Sequence, residues 1–431
     1  MNTDLTRTVD EAVRDSAGEL LDLLTELIAI PTETPVGENY GRIVDRLTQP
    51  WRALGFEVER IDLPDEVVAE RCRAHHPEMT ATRANLLATR RVPGRPAMLW
   101  YTHLDTVPAG PRELWDTDPF TAVQRDGMVY GRGASDSKGG TAALLTAFRV
   151  LDRLGVTPAV SPVVALTTDE EIGPYTGLMY LADQGFLDGV RAFHSCDGTA
   201  TNLGVGYCGT FAWSVTVRGH SVHSGLSFLG RNPVEEATGP LLEEILATKE
   251  VVQRRRSAMP SQWPRPAGRE HVGPLLNVNQ AKAGVQHNVV PETMVLGGDR
   301  RIIPEESYDD AVAELSEAVD RAAKHCPGLD FSLAIRPVYR DAWTVPVDDR
   351  FVRSVGRIAS EVRGEDVPVG GSAGSSDVSY VANKLGVPTV SHSVARPGES
   401  NYHSPNERVR IADLLDLTRI ICRVALTEDH T

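Results

Sequence analysis

With 431 residues the chain is too long for one ordinary core, and its 41% hydrophobic content is enough to fill two. Forty-four basic against 59 acidic side chains give a net charge of −15, which argues against nucleic acid and anionic membrane surfaces as partners. The five cysteines (Cys72, Cys196, Cys208, Cys326 and Cys422) lie far apart with no CxxC pair, so neither a zinc knuckle nor a disulfide framework is indicated and a reducing cytoplasm is expected.

The N-terminal stretch has no apolar run of the secretory kind, and no segment approaches the roughly 18 apolar residues of a membrane span. Leu20, Leu23, Leu24, Leu27 and Ile28 sit at helical spacing and predict one amphipathic helix over about 10–30, broken by the prolines of IPTETP. Residues 65–85 read as irregular. AMLWY (97–101), PVVALTT (162–168) and VRAFHSC (190–196) are the short continuous apolar runs of strands buried on both faces. Between the first two, GGTAALLTAFRVLDRLG (139–155) predicts a helix with Leu144, Leu145, Phe148 and Leu151 on one side. This alternation is α/β with a largely parallel sheet.

From about 210 the order changes. FAWSVTVRG (211–219) alternates as a half-exposed strand, and the next helix carries Leu241, Leu242, Ile245 and Leu246 as its apolar stripe. Two strands follow (LLNVNQAKAG and TMVLGGDRRI), then a helix capped by Ser307 with Val312, Leu315 and Val319 facing inward, then the strand LDFSLAIRP. The order β-α-β-β-α-β predicts a ferredoxin-like unit over 210–337, inserted into the α/β chain. The proline-rich stretch 254–274 reads as a loop, 387–394 as a further apolar strand, and about 411–427 as a last helix.

Chemistry gathers where the predicted strands stop. The strand in WYTHLDTVPAG ends at His103, and Asp105 follows two residues on. Residues two apart in extended backbone point the same way, so both side chains leave the strand's C-terminal end together, where open α/β sheets bind ligands. A metal-bound imidazole needs its ring orientation fixed, and a nearby carboxylate does this; His103 is the candidate ligand and Asp105 its orienting partner. A hydrogen-bonded structural histidine is the competing reading. GRGASDSKGG places Asp136 in a glycine-rich turn before a helix, where glycines allow close backbone approach and a helix cap is the alternative role. ALTTDEEIG ends a buried strand with Asp169, Glu170 and Glu171, three acids whose mutual repulsion calls for cations nearby, a solvated acidic turn being the alternative. Adjacent residues of extended chain face opposite sides, so one glutamate can reach a metal while its neighbour faces substrate. FHSCDG ends the next strand with Asp197, and NYHSPNERV places His403 ahead of the last helix.

The segments HLDTVPAG, WDTDPF, GMVYGRGASDSKGG, TTDEEIG, GHSVHSG, NVVPE and YHSPNE stand in the order of a known family. Over nearly its whole length the chain resembles the dinuclear zinc hydrolases that include acetylornithine deacetylase, succinyl-diaminopimelate desuccinylase, aminoacylase and the glutamate carboxypeptidases. The resemblance implies a zinc-peptidase-like catalytic domain in two parts, 1–209 and 338–431, with 210–337 as a lid and dimerisation domain. It implies that His103, Asp136 and Asp197 hold one Zn²⁺ and that Asp136, Glu171 and His403 hold the other, Asp136 bridging. Asp197 departs from the commoner glutamate. Two such ions facing three carboxylates keep a net charge of about one positive, and Co²⁺ or Mn²⁺ suits the same ligand types.

By the same resemblance Glu170 is the general base and Asp105 the partner of His103. His223, in preference to His220, stabilises the oxyanion, often at a partner subunit's site. Arg301 binds a substrate carboxylate, a surface ion pair being the alternative, and Asn288 contacts the substrate. GGSAGSSD (370–377) is expected to line the pocket through its backbone, with Asp377 as a structural hydrogen-bond partner. His75 and His76 are expected in solvent, His287 and His392 match no ligand position, and Cys196 is read as packing. The expected activity is removal of an acyl group from an N-acylated amino acid or related amine by a cytoplasmic homodimer. A dipeptidase or carboxypeptidase of the same mechanism is the alternative. A non-catalytic metal-binding protein is a third reading, which the retained base Glu170 opposes.

Overall fold

The computed structural model describes residues 3–173, 175–263, 268, 270–339 and 341–428. The chain divides into two compact units, one of Met1–Val205, Val345–Gly370 and Tyr380–Thr431, the other of Gly206–Thr344 and Gly371–Ser379.

The first unit is built on a mixed sheet. Its strands run in the order Glu57–Asp62, Ala84–Thr89, Ser161–Thr167, Ala97–His103, Val190–Ser195, Thr389–Ser391 and Leu203–Tyr207. The first two pairings are antiparallel, the three central ones parallel and the last antiparallel. The apolar runs noted in the sequence occupy the parallel centre, where both faces are covered. Register decides what meets at the sheet's end: His103 pairs with Thr167 and Tyr101 with Ser195. The segments that carry Asp105, Asp169–Glu171 and Asp197 therefore emerge from neighbouring strands, which lie about 4.8 Å apart.

The helix Lys138–Arg153 is buried on nearly every side from Lys138 to Leu151, not on one stripe. The strand Ala97–His103 and the helices Ala17–Ile28 and Ile411–Ala425 all pack against it. Its small residues allow this; a Cβ on Gly140 would stand 2.6 Å from the Cys196 carbonyl oxygen. Trp51, Phe56, Trp100 and Phe148 form an aromatic cluster in the same core, with ring centroids 4.9–5.6 Å apart.

The structure alters four further readings of the sequence. The helix expected over 10–30 is two, Thr3–Asp15 and Ala17–Ile28, because the Ser16 hydroxyl donates back to the Ala12 carbonyl at 2.7 Å and itself accepts from Arg153 Nη1 at 3.2 Å. Residues expected to be irregular after position 64 form a short helix, Asp65–Val68, continued by a wider turn, Ala69–Arg73, that buries Val68 and Cys72. The strand expected over 387–394 is only Thr389–Ser391. On the helix Pro233–Val252, Leu241 and Ile245 are buried but Leu246 is exposed, since the sheet beneath covers a narrower stripe.

The second unit is a four-stranded antiparallel sheet in the order Leu275–Ala283, Thr293–Ile302, Gly209–Arg218, Asp330–Tyr339. With strands numbered along the chain this is the order 2-3-1-4 of a ferredoxin-like unit. Phe211, Trp213, Val215 and Val217 alternate inward along one strand and pack beneath the helices Pro233–Val252 and Tyr308–Lys324. Ser307 caps the second helix by accepting the Asp310 amide. Of the proline-rich stretch, Pro260 bridges to His271 and Ser261 to Gly371, while residues 264–267 and 269 lie outside the described residues.

Candidate metal centre

Asp136 stands between two imidazoles. Its Oδ1 lies 3.0 Å from His103 Nε2 and its Oδ2 lies 3.2 Å from His403 Nε2. His403 Nε2 is also 2.8 Å from Glu171 Oε2. The Asp105 carbonyl, which can only accept, takes His103 Nδ1–H at 3.1 Å, and this turns Nε2 toward Asp136.

The Asp105 carboxylate has a further task. Its two oxygens accept the amides of Glu170, at 3.2 Å, and Glu171, at 3.1 Å. One buried residue thus steadies both the His103 ring, through its carbonyl, and the acidic turn, through its carboxylate. Ligand atoms of His103, Asp136 and Glu171 fall within 4.8 Å of one another, as do those of His103, Glu170 and Asp197. The structure therefore gathers His103, Asp136, Glu170, Glu171, Asp197 and His403 in the first unit. The sequence separated Glu170 from the ligands, whereas its carboxylate shares the second of these groupings.

The electrostatics are those of acids short of positive charge. Burial, then the nearby Asp136 charge, pushes the Glu171 carboxyl up to about 7. Burial likewise pushes Asp197 up to about 6. Burial opposes ionisation of Asp136 too, but its bonds to His103 and His403 prevail and hold it below the usual carboxylate range. Bonds to Asp136 and Glu171 push His403 up to about 11. His103 is pushed down by burial, but its bonds to Asp105 and Asp136 outweigh this and leave it well above an ordinary imidazole. Glu171 Oε1 is buried with no hydrogen-bond partner. Protons on the imidazoles balance the acids in part; a divalent cation balances them better, and its binding displaces those protons. This set of imidazole nitrogens and carboxylate oxygens, with one buried oxygen unpaired, fits a divalent metal.

Two supports of the centre were missed in the sequence. Asp169 does not face the ligand cluster as Glu170 and Glu171 do: it turns into the core, accepts Tyr40 Oη at 2.7 Å and Thr176 Oγ1 at 2.6 Å, and pairs with buried Arg83 at 3.3 Å. Glu407, in the segment that carries His403, is fully buried against the glycine-rich loop of Asp136. The sequence signal for Glu407 was an acid one residue before an alternating strand start, and solvated acids look the same.

In the second unit, exposed His223 accepts the Gly225 amide on Nδ1 at 3.1 Å, which leaves the proton on Nε2 as a free-facing donor. His220 is bound to Arg231 through backbone groups. Asn288 is exposed, and its carbonyl accepts the Ser224 amide. Arg301 Nε is 2.9 Å from Asp299 and its Nη1 is 3.1 Å from Ser375 Oγ, so its fork is fixed within this unit. Ser376 Oγ donates to Asp377. His75 and His287 are exposed and His76 is half-buried. His392 is buried against the Asn202 carbonyl, and burial pushes its imidazole down to about 4. Cys196 is fully buried and its thiol is raised by burial, as packing requires.

Residues 99–427 match the model of Peptidase family M20/M25/M40. The chain belongs to this family. A succinyl-diaminopimelate desuccinylase of Xanthomonas oryzae pv. oryzae (strain MAFF 311018) is 30% identical, over 92% of this chain and 95% of the relative. One of Alkalilimnicola ehrlichii is 27% identical, over 93% and 97%. Among solved structures, the M20 family metallo-carboxypeptidase Sso-CP2 from Sulfolobus solfataricus superposes with a TM-score of 0.77 at 20% identity, over 96% of this chain and all of that one. The M20 chain is thus a metal-dependent hydrolase of amide bonds. No helix among its described residues is long and apolar enough to cross a membrane.

Proposed function

We propose that this M20 hydrolase removes an acyl group from N-acylated amino acids, with two divalent cations, Zn²⁺ first, held by His103, Asp136 and Asp197 and by Asp136, Glu171 and His403. The observation that carries it is Asp136 facing both imidazoles, one oxygen to each, with the Glu170 carboxylate beside His103 and Asp197. When bound, such a metal pair polarises the scissile carbonyl and acidifies water.

The chain's own groups do the rest. Glu170 takes the proton of the attacking water and returns it to the departing amine nitrogen. Asp105 keeps Nε2 of His103 turned to the metals and holds the Glu170 and Glu171 amides, so base and ligand move as one piece. His223 supplies an Nε2–H donor to the carbonyl oxygen as charge develops there. Arg301, its fork held by Asp299 and Ser375, receives a substrate carboxylate, and Asn288 makes a polar contact. Acyl amino acids are favoured over peptides because the curated relatives matched along nearly the whole chain are desuccinylases. The homodimer is part of this proposal. So is a reducing compartment, which five buried free thiols suit.

The test is metal analysis with a panel of N-acetyl, N-succinyl and N-formyl amino acids and dipeptides. We expect two divalent ions per chain, turnover concentrated on the N-acyl substrates, and loss of activity on chelation that added Zn²⁺, Co²⁺ or Mn²⁺ restores. Turnover confined to dipeptides removes the deacylase assignment in favour of the peptidase. Arg301→Ala is expected to lower kcat/KM for carboxylate-bearing substrates by roughly 10–100-fold, mostly through KM. An unchanged KM removes Arg301 from the substrate contacts.

A further inference from the structure

Glu407 joins two segments that the sequence keeps far apart. Its Oε2 accepts Arg132 Nη1 at 2.7 Å and the Gly133 amide at 2.9 Å. Its Oε1 accepts the Ser135 amide at 2.9 Å, Ser135 Oγ at 3.0 Å and the Asp136 amide at 3.0 Å. Its carbonyl oxygen takes the Gly131 amide at 2.9 Å. Successive amides of a glycine-bearing turn make an anion-binding concavity, and here a side chain from the same protein fills it. Gly133 has φ +83° and would bring a Cβ to 2.9 Å from Thr106, so the turn that aims these amides is open to glycine alone.

The other end of the link is the His403 loop. Asn401, His403 and Asn406 all have positive φ, a conformation that must be held by its surroundings. Just after Glu407, Arg408–Arg410 pairs antiparallel with Met128–Tyr130, and that strand leads directly into the Asp136 turn. Glu407 is thus clamped where the two segments converge, and from there Asp136 and His403 reach 3.2 Å of each other. Burying a carboxylate with one arginine is expensive unless every remaining lone pair is used, and here both oxygens are fully engaged.

We propose that Glu407 is a positioning residue of the metal centre: by binding the Asp136 turn from the His403 loop, it fixes the spacing of the metal position shared by Asp136, Glu171 and His403. This rests on the metal reading of the previous subsection. A carboxylate serving stability alone would leave metal affinity untouched in any variant that still folds.

The test uses the full chain and Glu407→Gln, titrated with Zn²⁺ against a competing chelator and with Co²⁺ by visible absorption, alongside circular dichroism and kinetics. The expected result is a folded variant whose weaker metal position loses roughly 10–100-fold in affinity. Its Co²⁺ spectrum changes, and kcat falls more than KM rises until excess metal restores it. Parent-like affinity and spectrum in folded Glu407→Gln overturn the inference. If that variant does not fold, Ser135→Ala decides. It removes one bond to Oε1 and is expected to weaken metal binding roughly 3–10-fold, and unchanged binding overturns the inference. A parent chain that binds no divalent ion overturns the metal reading itself, whereas a parent that binds two with variants that match it overturns only the role of Glu407.

Discussion

Replacing Glu170 by glutamine lowers kcat by roughly 10²–10⁴-fold, with metal content unchanged. Glutamine keeps the size and a polar tip but cannot carry the proton from water to the leaving amine. The backbone reason for leaving the metals in place is that the Glu170 amide, not its carboxylate, is what Asp105 holds, and that bond survives the substitution. The measurement is paired: steady-state kinetics on the best acyl substrate and elemental analysis on the same preparation. Since the Glu170 carboxylate lies within 4.8 Å of ligand atoms on His103 and Asp197, the alternative is a direct metal ligand. Loss of an ion along with activity would establish that alternative, and retained activity would remove Glu170 from the mechanism.

The second large effect is on stability. Arg83→Leu is expected to cost about 3–5 kcal/mol in the unfolding transition of the first unit, because it leaves the buried Asp169 carboxylate without its cation. Both side chains are fully buried, 3.3 Å apart, and the guanidinium also donates to the carbonyls of Pro35 and Val36. Burial already pushes Asp169 up to about 6, against the pull of Arg83. Without that pull the acid takes a proton or draws in water, and the turn leading to Glu170 loses its anchor. Activity should fall with stability for that reason. Adding Asp169→Asn to Arg83→Leu should recover about 1 kcal/mol or more, since the pair is coupled. An unfolding free energy for Arg83→Leu within about 0.5 kcal/mol of the parent would mean that the pair is incidental.

Much of this molecule follows from its residue order alone. Continuous apolar runs gave the buried central strands, because a strand covered on both faces has no polar side to show. Strict alternation in FAWSVTVRG gave a strand with one covered face, and Phe211, Trp213, Val215 and Val217 are the covered set. Polar residues that interrupt an apolar run at its end gave His103, the acids after Thr168 and Asp197. His403 had no such signal. It was legible only through the resemblance of its motif, as were Arg301 and Asn288.

Tertiary structure decided which polar groups face the core. Asp169, Glu170 and Glu171 are indistinguishable as a run of acids, yet one is sealed against Arg83 and Tyr40 and the other two hang from the Asp105 carboxylate. Glu407 and Arg132 meet across 275 residues of sequence. Periodicity reports only the side of a strand or helix that is covered. The partner of a polar atom depends on sheet register and on where distant loops are brought together, and a hydrogen bond, being short and directional, exists only once that register is set.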